Sequence, residues 1–394
     1  MKLRIPLLED IALYILVISV FCFDGDAKLN KILYLAIILF VLTMSKRLMS
    51  RPVPSYFWKS WMPFLIVCAA SVIWSVNRGV SIHRVVTVAI NIVLFGILWV
   101  YIVENHKQWE LLKSIAIGGM IFAVYIVLYY GGVSSFINMM AAADVRSRIG
   151  GEVAHISLIG QSLAMAGIAT VALLQNAEKM RERCFWCGAL IVELLVILAS
   201  QSRTGLALLI VGAAALFMIQ AKNERIQKWL ISAIVLLSIA FVVLQNVDLS
   251  SVLGRWSTLF GDDKDASTSI RMRLILEGLS LFLNRPFGGF GIATSEVVSV
   301  YKSYFHNNYI ELLATTGLLG FASFYYVYAN AFRSIKRKAK TNRLASVAMV
   351  VLLAQLGIMI ATVTYYVKYQ FLFVVFIMAV PYTDNQTIEE EIEQ

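Results

Sequence analysis

The stretch FHNNYIELLATTGLLG (305–320) puts a histidine and two asparagines at the mouth of an apolar run. His306 is the residue with chemistry, because a neutral imidazole accepts a proton from a hydroxyl near neutral pH. Asn307 and Asn308 could orient it or bind sugar hydroxyls; asparagine is also a favoured helix N-cap. The plainer reading is an interfacial histidine bonded to a nearby loop, and both readings stand on these residues alone. Glu311 lies five positions beyond His306, a poor helical pairing, whereas Asn307 and Glu311 are four apart and better neighbours.

A second group is cationic. Arg203 sits in ASQSRTG (199–205), between two apolar blocks with almost no loop. Such a cation either snorkels to the headgroups or faces a wet cavity, and the polar SQS before it favours the cavity. No metal or cofactor is expected. His83, His106 and His155 are scattered, without spaced carboxylates. Phosphate loops, dinucleotide fingerprints and serine elbows are missing from the sequence. Cys184 and Cys187 form a C-x-x-C with no second pair, and with Cys22 and Cys68 they read as small packing residues.

The elements that must position these residues are apolar helices. The 394 residues are 59% hydrophobic and only 15% charged, against roughly a quarter charged in soluble domains. About 20 apolar residues span a bilayer as helix, and the blocks read as twelve spans: 7–23, 30–45, 61–75, 82–103, 111–130, 154–175, 184–200, 203–220, 227–246, 306–332, 345–362 and 364–382. The first block is expected to be an ordinary span rather than a cleaved leader. The expected fold is therefore all-α, a polytopic integral membrane protein of one membrane domain (1–394).

Lys and Arg gather on alternate loops, RSIKRKAKTNR at 333–343 above all. The positive-inside rule then places both termini in the cytoplasm and His306 and Arg203 at the outer face. Residues 247–305 become one large outer loop, with an amphipathic helix at 269–286 on or in the membrane surface and a Gly-rich turn, PFGGFG, at 286–291. The end, 383–394, reads as a disordered acidic tail. Nine of the twelve cations that this topology puts outside are arginines, among them Arg84, Arg146, Arg148, Arg271 and Arg273. Guanidinium binds phosphate bidentately. An arginine-rich outer face suits a phosphate-bearing ligand, and the net charge of +10 is assigned to membrane topology rather than to nucleic acid.

The chain resembles the O-antigen ligase and Wzy-type polysaccharide polymerase superfamily at three places. His306-Asn307, nine residues, then Gly317-Leu318-Leu319-Gly320 is similar to the pattern H-[NSQ]-x9-G-x-x-[GTY]. Arg271, followed by Pro286 and FGGFG, is similar to the family's arginine and glycine-rich loop. SQSRTG resembles the segment that supplies another arginine. Ile275 departs from the aromatic often found four residues after the loop arginine. The likeness covers about 200–330, and the first half contributes topology only.

The resemblance implies a C-type glycosyltransferase-like fold with about twelve transmembrane helices. It implies an undecaprenyl-pyrophosphate-linked oligosaccharide donor at the outer leaflet of the bacterial inner membrane. Arg203 and Arg271 would bind the pyrophosphate and His306 would activate the acceptor hydroxyl, for a metal-independent transfer with inversion. Asn307, Asn308, Arg273, Arg84, Arg146 and Arg148 are expected to bind substrate. The acceptor would be a second glycan, for a repeat-unit polymerase, or lipid A-core, for an O-antigen ligase. A flippase and a chain-length regulator are the expected partner proteins. A lipid or sugar transporter is the alternative of another class; it calls for paired mid-span charges, and Lys368 and Glu193 are not symmetric. A reporter fused after residue 260 is expected to read out from outside the cytoplasm, and a cytoplasmic signal there reverses the topology.

Overall fold

Asparagine starts three of the helices that matter here. Asn77 accepts from the Val80 N–H, Asn307 from those of Tyr309 and Ile310, and Asn342 from those of Leu344 and Ala345. Each satisfies donors that a helix start leaves unpaired. The computed structural model describes residues 5–23, 30–48, 55–134, 136, 156–220, 266–339 and 342–383. Its helices are α1 (Ile5–Phe23), α2 (Asn30–Leu48), α3 (Tyr56–Ser71), α4 (Arg78–Glu104), α5 (Gln108–Tyr129), α6 (Ile156–Asn176), α7 (Met180–Ala199), α8 (Arg203–Gln220), α9 (Ala266–Asn284), α10 (Ser295–Val298), α11 (Asn308–Lys338), α12 (Arg343–Ile358) and α13 (Lys368–Ala379).

Among the described residues there are helices and no strands, as the apolar blocks predict. Among the described residues four helices are long and apolar enough to cross a membrane: Arg78–Glu104, Gln108–Tyr129, Leu158–Asn176 and Asn308–Lys338. The expected span 227–246, residues 247–265 and the tail from 384 lie outside the described residues. The span expected to open at His306 begins as a helix only at Asn308, because Asn307 takes the extended conformation of the cap.

The chain folds as two compact units. One holds Met1–Glu9, Ile37–Leu111 and Asp265–Gln394; the other holds Asp10–Ala36 and Leu112–Lys264. In the first, α3 packs on α4 and α11, α9 and α12 pack on α11, and α13 packs on α4 and α12. Large rings fill its centre. Trp61 stacks on Phe371 at 5.0 Å between centroids, Phe95 also stacks on Phe371 at 5.3 Å, and Phe64 meets Phe324 edge-on at 5.1 Å. Such offset and edge contacts add to the area that the rings bury. In the second unit α6, α7 and α8 pack on one another. Small residues let them approach: a Cβ on Gly205 would collide with the Gly160 carbonyl, and one on Gly212 with Ile168.

A backbone exchange sets the geometry of the first unit. At Gly317, α11 leaves helical conformation (φ 65°, ψ −166°), a region open essentially to glycine alone. The turn 286–291 fills the break. Leu318 N–H donates to Pro286 O (2.7 Å) and Leu319 N–H to Phe287 O (3.3 Å), while Phe290 N–H donates to Ala314 O (3.2 Å) and Gly291 N–H to Thr315 O (2.8 Å). The turn thus takes places that i→i−4 bonds would have filled: Ala314 O and Thr315 O, which would accept from Leu318 and Leu319, accept from the turn instead. The approach is close enough that a Cβ on Gly317 would collide with the Phe287 carbonyl, and one on Gly289 with the Thr315 carbonyl.

Gly317→Ala is therefore expected to destabilise the protein by more than about 3 kcal/mol, from strain and overlap together. Gly188→Ala, in an open helical position, is expected to be neutral or stabilising by up to about 1 kcal/mol. Thermal inactivation of both variants in detergent or nanodiscs checks the contrast.

Candidate active site

His306 occupies a left-handed backbone conformation (φ 52°), which costs a non-glycine residue roughly 1–3 kcal/mol. The surroundings hold it there from both sides. On the upstream side, the Phe305 N–H donates to Glu311 Oε2 (3.2 Å), and Glu311 Oε1 accepts from Ser295 Oγ (2.6 Å). On the downstream side, the Asn308 N–H donates to Met359 O (2.8 Å), and Asn307 Nδ2 donates to Ile360 O (3.0 Å). The half-buried imidazole lies against the Tyr304 ring, with centroids 4.0 Å apart.

Tyr304 carries the His306 ring. Burial, and after it the neighbouring Tyr366, push its phenol up to about 12; Arg271 draws it down, while Glu296 and Glu311 push it up. Arg271 thus lies within electrostatic reach of the ring on which His306 rests. It stands on α9, held to the start of α11 by a small core of Leu274, Phe305, Ile310 and Ala314. Ile275, at the position where an aromatic was expected, packs against that core. Gly278 allows the approach, since a Cβ there would collide with Ile310. Arg84, from α4, lays its guanidinium 3.5 Å from the centre of the Tyr366 ring, and its Nε is buried without a hydrogen-bond partner.

Asn307 is the cap, and its amide nitrogen goes to Ile360. Asn308 is fully buried; its Oδ1 accepts from the Thr364 (2.9 Å) and Tyr365 (3.2 Å) N–H groups and its Nδ2 donates to Tyr325 Oη (3.1 Å). In this structure both asparagines bond to protein. Arg273, on the same helix as Arg271, is exposed. Arg203 belongs to the other unit, at the first residue of α8; the break before it has Gln201 in the left-handed region (φ 51°) and Ser202 Oγ accepting from the Gly205 N–H (3.2 Å). The side chain of Arg203 is half-buried. Arg146 and Arg148 lie outside the described residues. Among the described residues no three His, Cys, Asp or Glu side chains come together in a way that could hold a metal ion.

Sequence reading missed several contributors. Tyr304, Tyr366 and the direction of Glu311 carry no motif. The connection between α3 and α4 and the first turn of α4 also grip the Gly-rich turn and the residue after it: Trp74 Nε1 donates to Gly288 O (2.9 Å), Val76 N–H to Phe290 O (3.0 Å) and Ser81 Oγ to Ile292 O (2.8 Å). The first half of the chain is therefore hydrogen-bonded to the Gly-rich turn and the residue after it. Trp74 and Ser81, on either side of the start of α4, were the available signal.

Residues 188–325 match the family model described as Wzy_C: O-Antigen ligase, a segment covering less than half of the chain. It contains Arg203, Arg271, Arg273, His306, Asn307 and Asn308. The chain thus carries the likeness to the O-antigen ligase and Wzy-type superfamily that its motifs suggest. Together with the apolar helices, the match supports an integral membrane enzyme of the ligase and polymerase type. No curated protein matches the chain.

Asn308→Ala strands two buried N–H groups and removes a donor from the Tyr325 hydroxyl, so a loss of about 2–4 kcal/mol is expected. Thermal unfolding of the purified variant measures it.

Proposed function

We propose that the chain is a bacterial cell-surface glycosyltransferase that uses an undecaprenyl-pyrophosphate-linked glycan at the outer leaflet, and that it acts as a Wzy-type repeat-unit polymerase. It would lie in the inner membrane with about twelve spans in one membrane domain, both termini cytoplasmic, and 247–305 as the large outer loop. The observation that carries the reading is that a histidine is held in a strained turn against Tyr304, and that the helix bearing the loop arginine Arg271 packs on the helix that begins just after that histidine, within the segment of the family match.

The chemistry follows from the two groups. An acceptor hydroxyl oxygen attacks the anomeric carbon of the donor, and the new C–O bond forms with inversion as the bond to the phosphate oxygen breaks. The hydroxyl proton passes to the His306 imidazole. The bonding electrons leave on the polyprenyl pyrophosphate, and Arg271 stabilises the charge that gathers there. Arg203 takes the role that the resemblance gives it, as a second phosphate-binding guanidinium. With arginines in this role the reaction requires no divalent cation. Arg84, its Nε unpartnered beside Tyr366, is the further candidate for substrate contact, with Arg273 and, beyond the described residues, Arg146 and Arg148. A flippase would deliver the donor and a chain-length regulator would limit the product.

The description of the matching family favours a second reading, an O-antigen ligase that moves the glycan to lipid A-core. Purified protein given the lipid-linked oligosaccharide that accumulates in cells lacking the gene separates the two. A ladder of lengthening products marks a polymerase. Transfer only after lipid A-core is added marks a ligase. Neither product would contradict both. In the same assay His306→Ala is expected to abolish transfer while the protein stays folded. Arg271→Lys is expected to lose nearly as much as Arg271→Ala, because ammonium cannot contact phosphate bidentately.

A further inference from the structure

We propose that Glu311 is a positioning residue for His306, an inference that rests on the proposed function. Glu311 is 2% exposed, and each of its carboxylate oxygens has a partner. Oε2 accepts from the N–H of Phe305, the residue immediately before His306. Oε1 accepts from Ser295 Oγ, at the start of α10. One carboxylate therefore ties the loop helix to the histidine turn.

The placement is unlike an ordinary capping box, where the third residue of the helix reaches back to the cap. Here Asn307 already serves the N–H groups of Tyr309 and Ile310. Glu311 is one position further along and reaches past the cap, to the far side of His306. The strained histidine is thereby clamped, with Glu311 fixing the peptide before it and Met359 accepting from the peptide after it. Ring contact with Tyr304 then leaves the imidazole little freedom. Burial of a carboxylate for a single backbone amide would be costly in an apolar bundle. The Ser295 hydroxyl and the charged neighbour Arg84 share that cost, and Glu296 is the other charged neighbour. Without Glu311 nothing described holds the Phe305 amide, and His306 is free to relax toward an ordinary backbone conformation, carrying the imidazole away from Tyr304.

The test compares Glu311→Ala, Glu311→Gln and His306→Ala in nanodiscs, with the lipid-linked oligosaccharide extracted from cells lacking the gene as the probe. His306→Ala must be inactive; if it retains activity, the proposed function fails, whatever Glu311 does. Given that, Glu311→Ala is expected to lower kcat about 100-fold, as a misplacement of an ångström does, with KM for the donor unchanged. Glu311→Gln keeps an amide oxygen for Phe305 and an N–H that can donate to Ser295, so it is expected to restore most of kcat. Wild-type kcat in Glu311→Ala, a change confined to KM, or a Gln variant as slow as the Ala variant would each overturn the inference. Should Glu311→Ala fail to fold, Ser295→Ala removes one of the carboxylate's two anchors. A smaller fall in kcat at constant KM is then expected, and an unchanged kcat overturns the proposal.

Discussion

The geometry of the candidate site depends on one backbone exchange. Where α11 breaks at Gly317, the turn 286–291 supplies two acceptors and two donors in place of the helix's own. Interior helix bonds are given up only where substitutes are at hand. The exchange fixes the turn, and with it the end of α9 just upstream. Arg271 on α9 and His306 before α11 are consequently held by the same junction, with the Leu274–Phe305–Ile310–Ala314 core between them.

Strain is present at the point where the reading puts the chemistry. His306 has a left-handed backbone, and the bonds on either side of it come from Glu311, Met359 and Ile360. A residue stays in such a conformation only when its neighbours over-determine it. Asn308, buried in the first turn of α11, binds the 364–365 peptides and so draws the connection between α12 and α13 to the same place. Arg84 reaches that connection through Tyr366. A histidine aimed in this way can meet a hydroxyl in a defined direction, which is what general-base chemistry needs.

Much of the helical layout was legible because apolar length is a strong signal. The expected 203–220 and 30–45 differ little from the helices Arg203–Gln220 and Asn30–Leu48. The nine-residue spacing from Asn307 to Gly317 was legible as a pattern, but its reason was not. That reason is a contact with a turn some thirty residues upstream, and local periodicity carries no information about such pairings. The same limit hid Trp74, Val76 and Ser81, whose bonds to the Gly-rich turn span more than two hundred residues. Glu311 was weighed as a helical neighbour of Asn307, by spacing alone. Its side chain instead runs back past the cap, because the asparagine has already satisfied the first free N–H groups. Asn307 and Asn308 looked alike in sequence; one peptide of offset made one a cap and the other a buried clamp.

The most direct test of the central claim is amide hydrogen exchange on the protein in nanodiscs, read over 286–292 and 314–320. The account predicts that the amides of Phe290, Gly291, Leu318 and Leu319 exchange as slowly as those in the middle of α11, and that Gly317→Ala accelerates all four together. Fast exchange of the 286–292 amides in the wild-type protein, at the rate of an open loop, would contradict it.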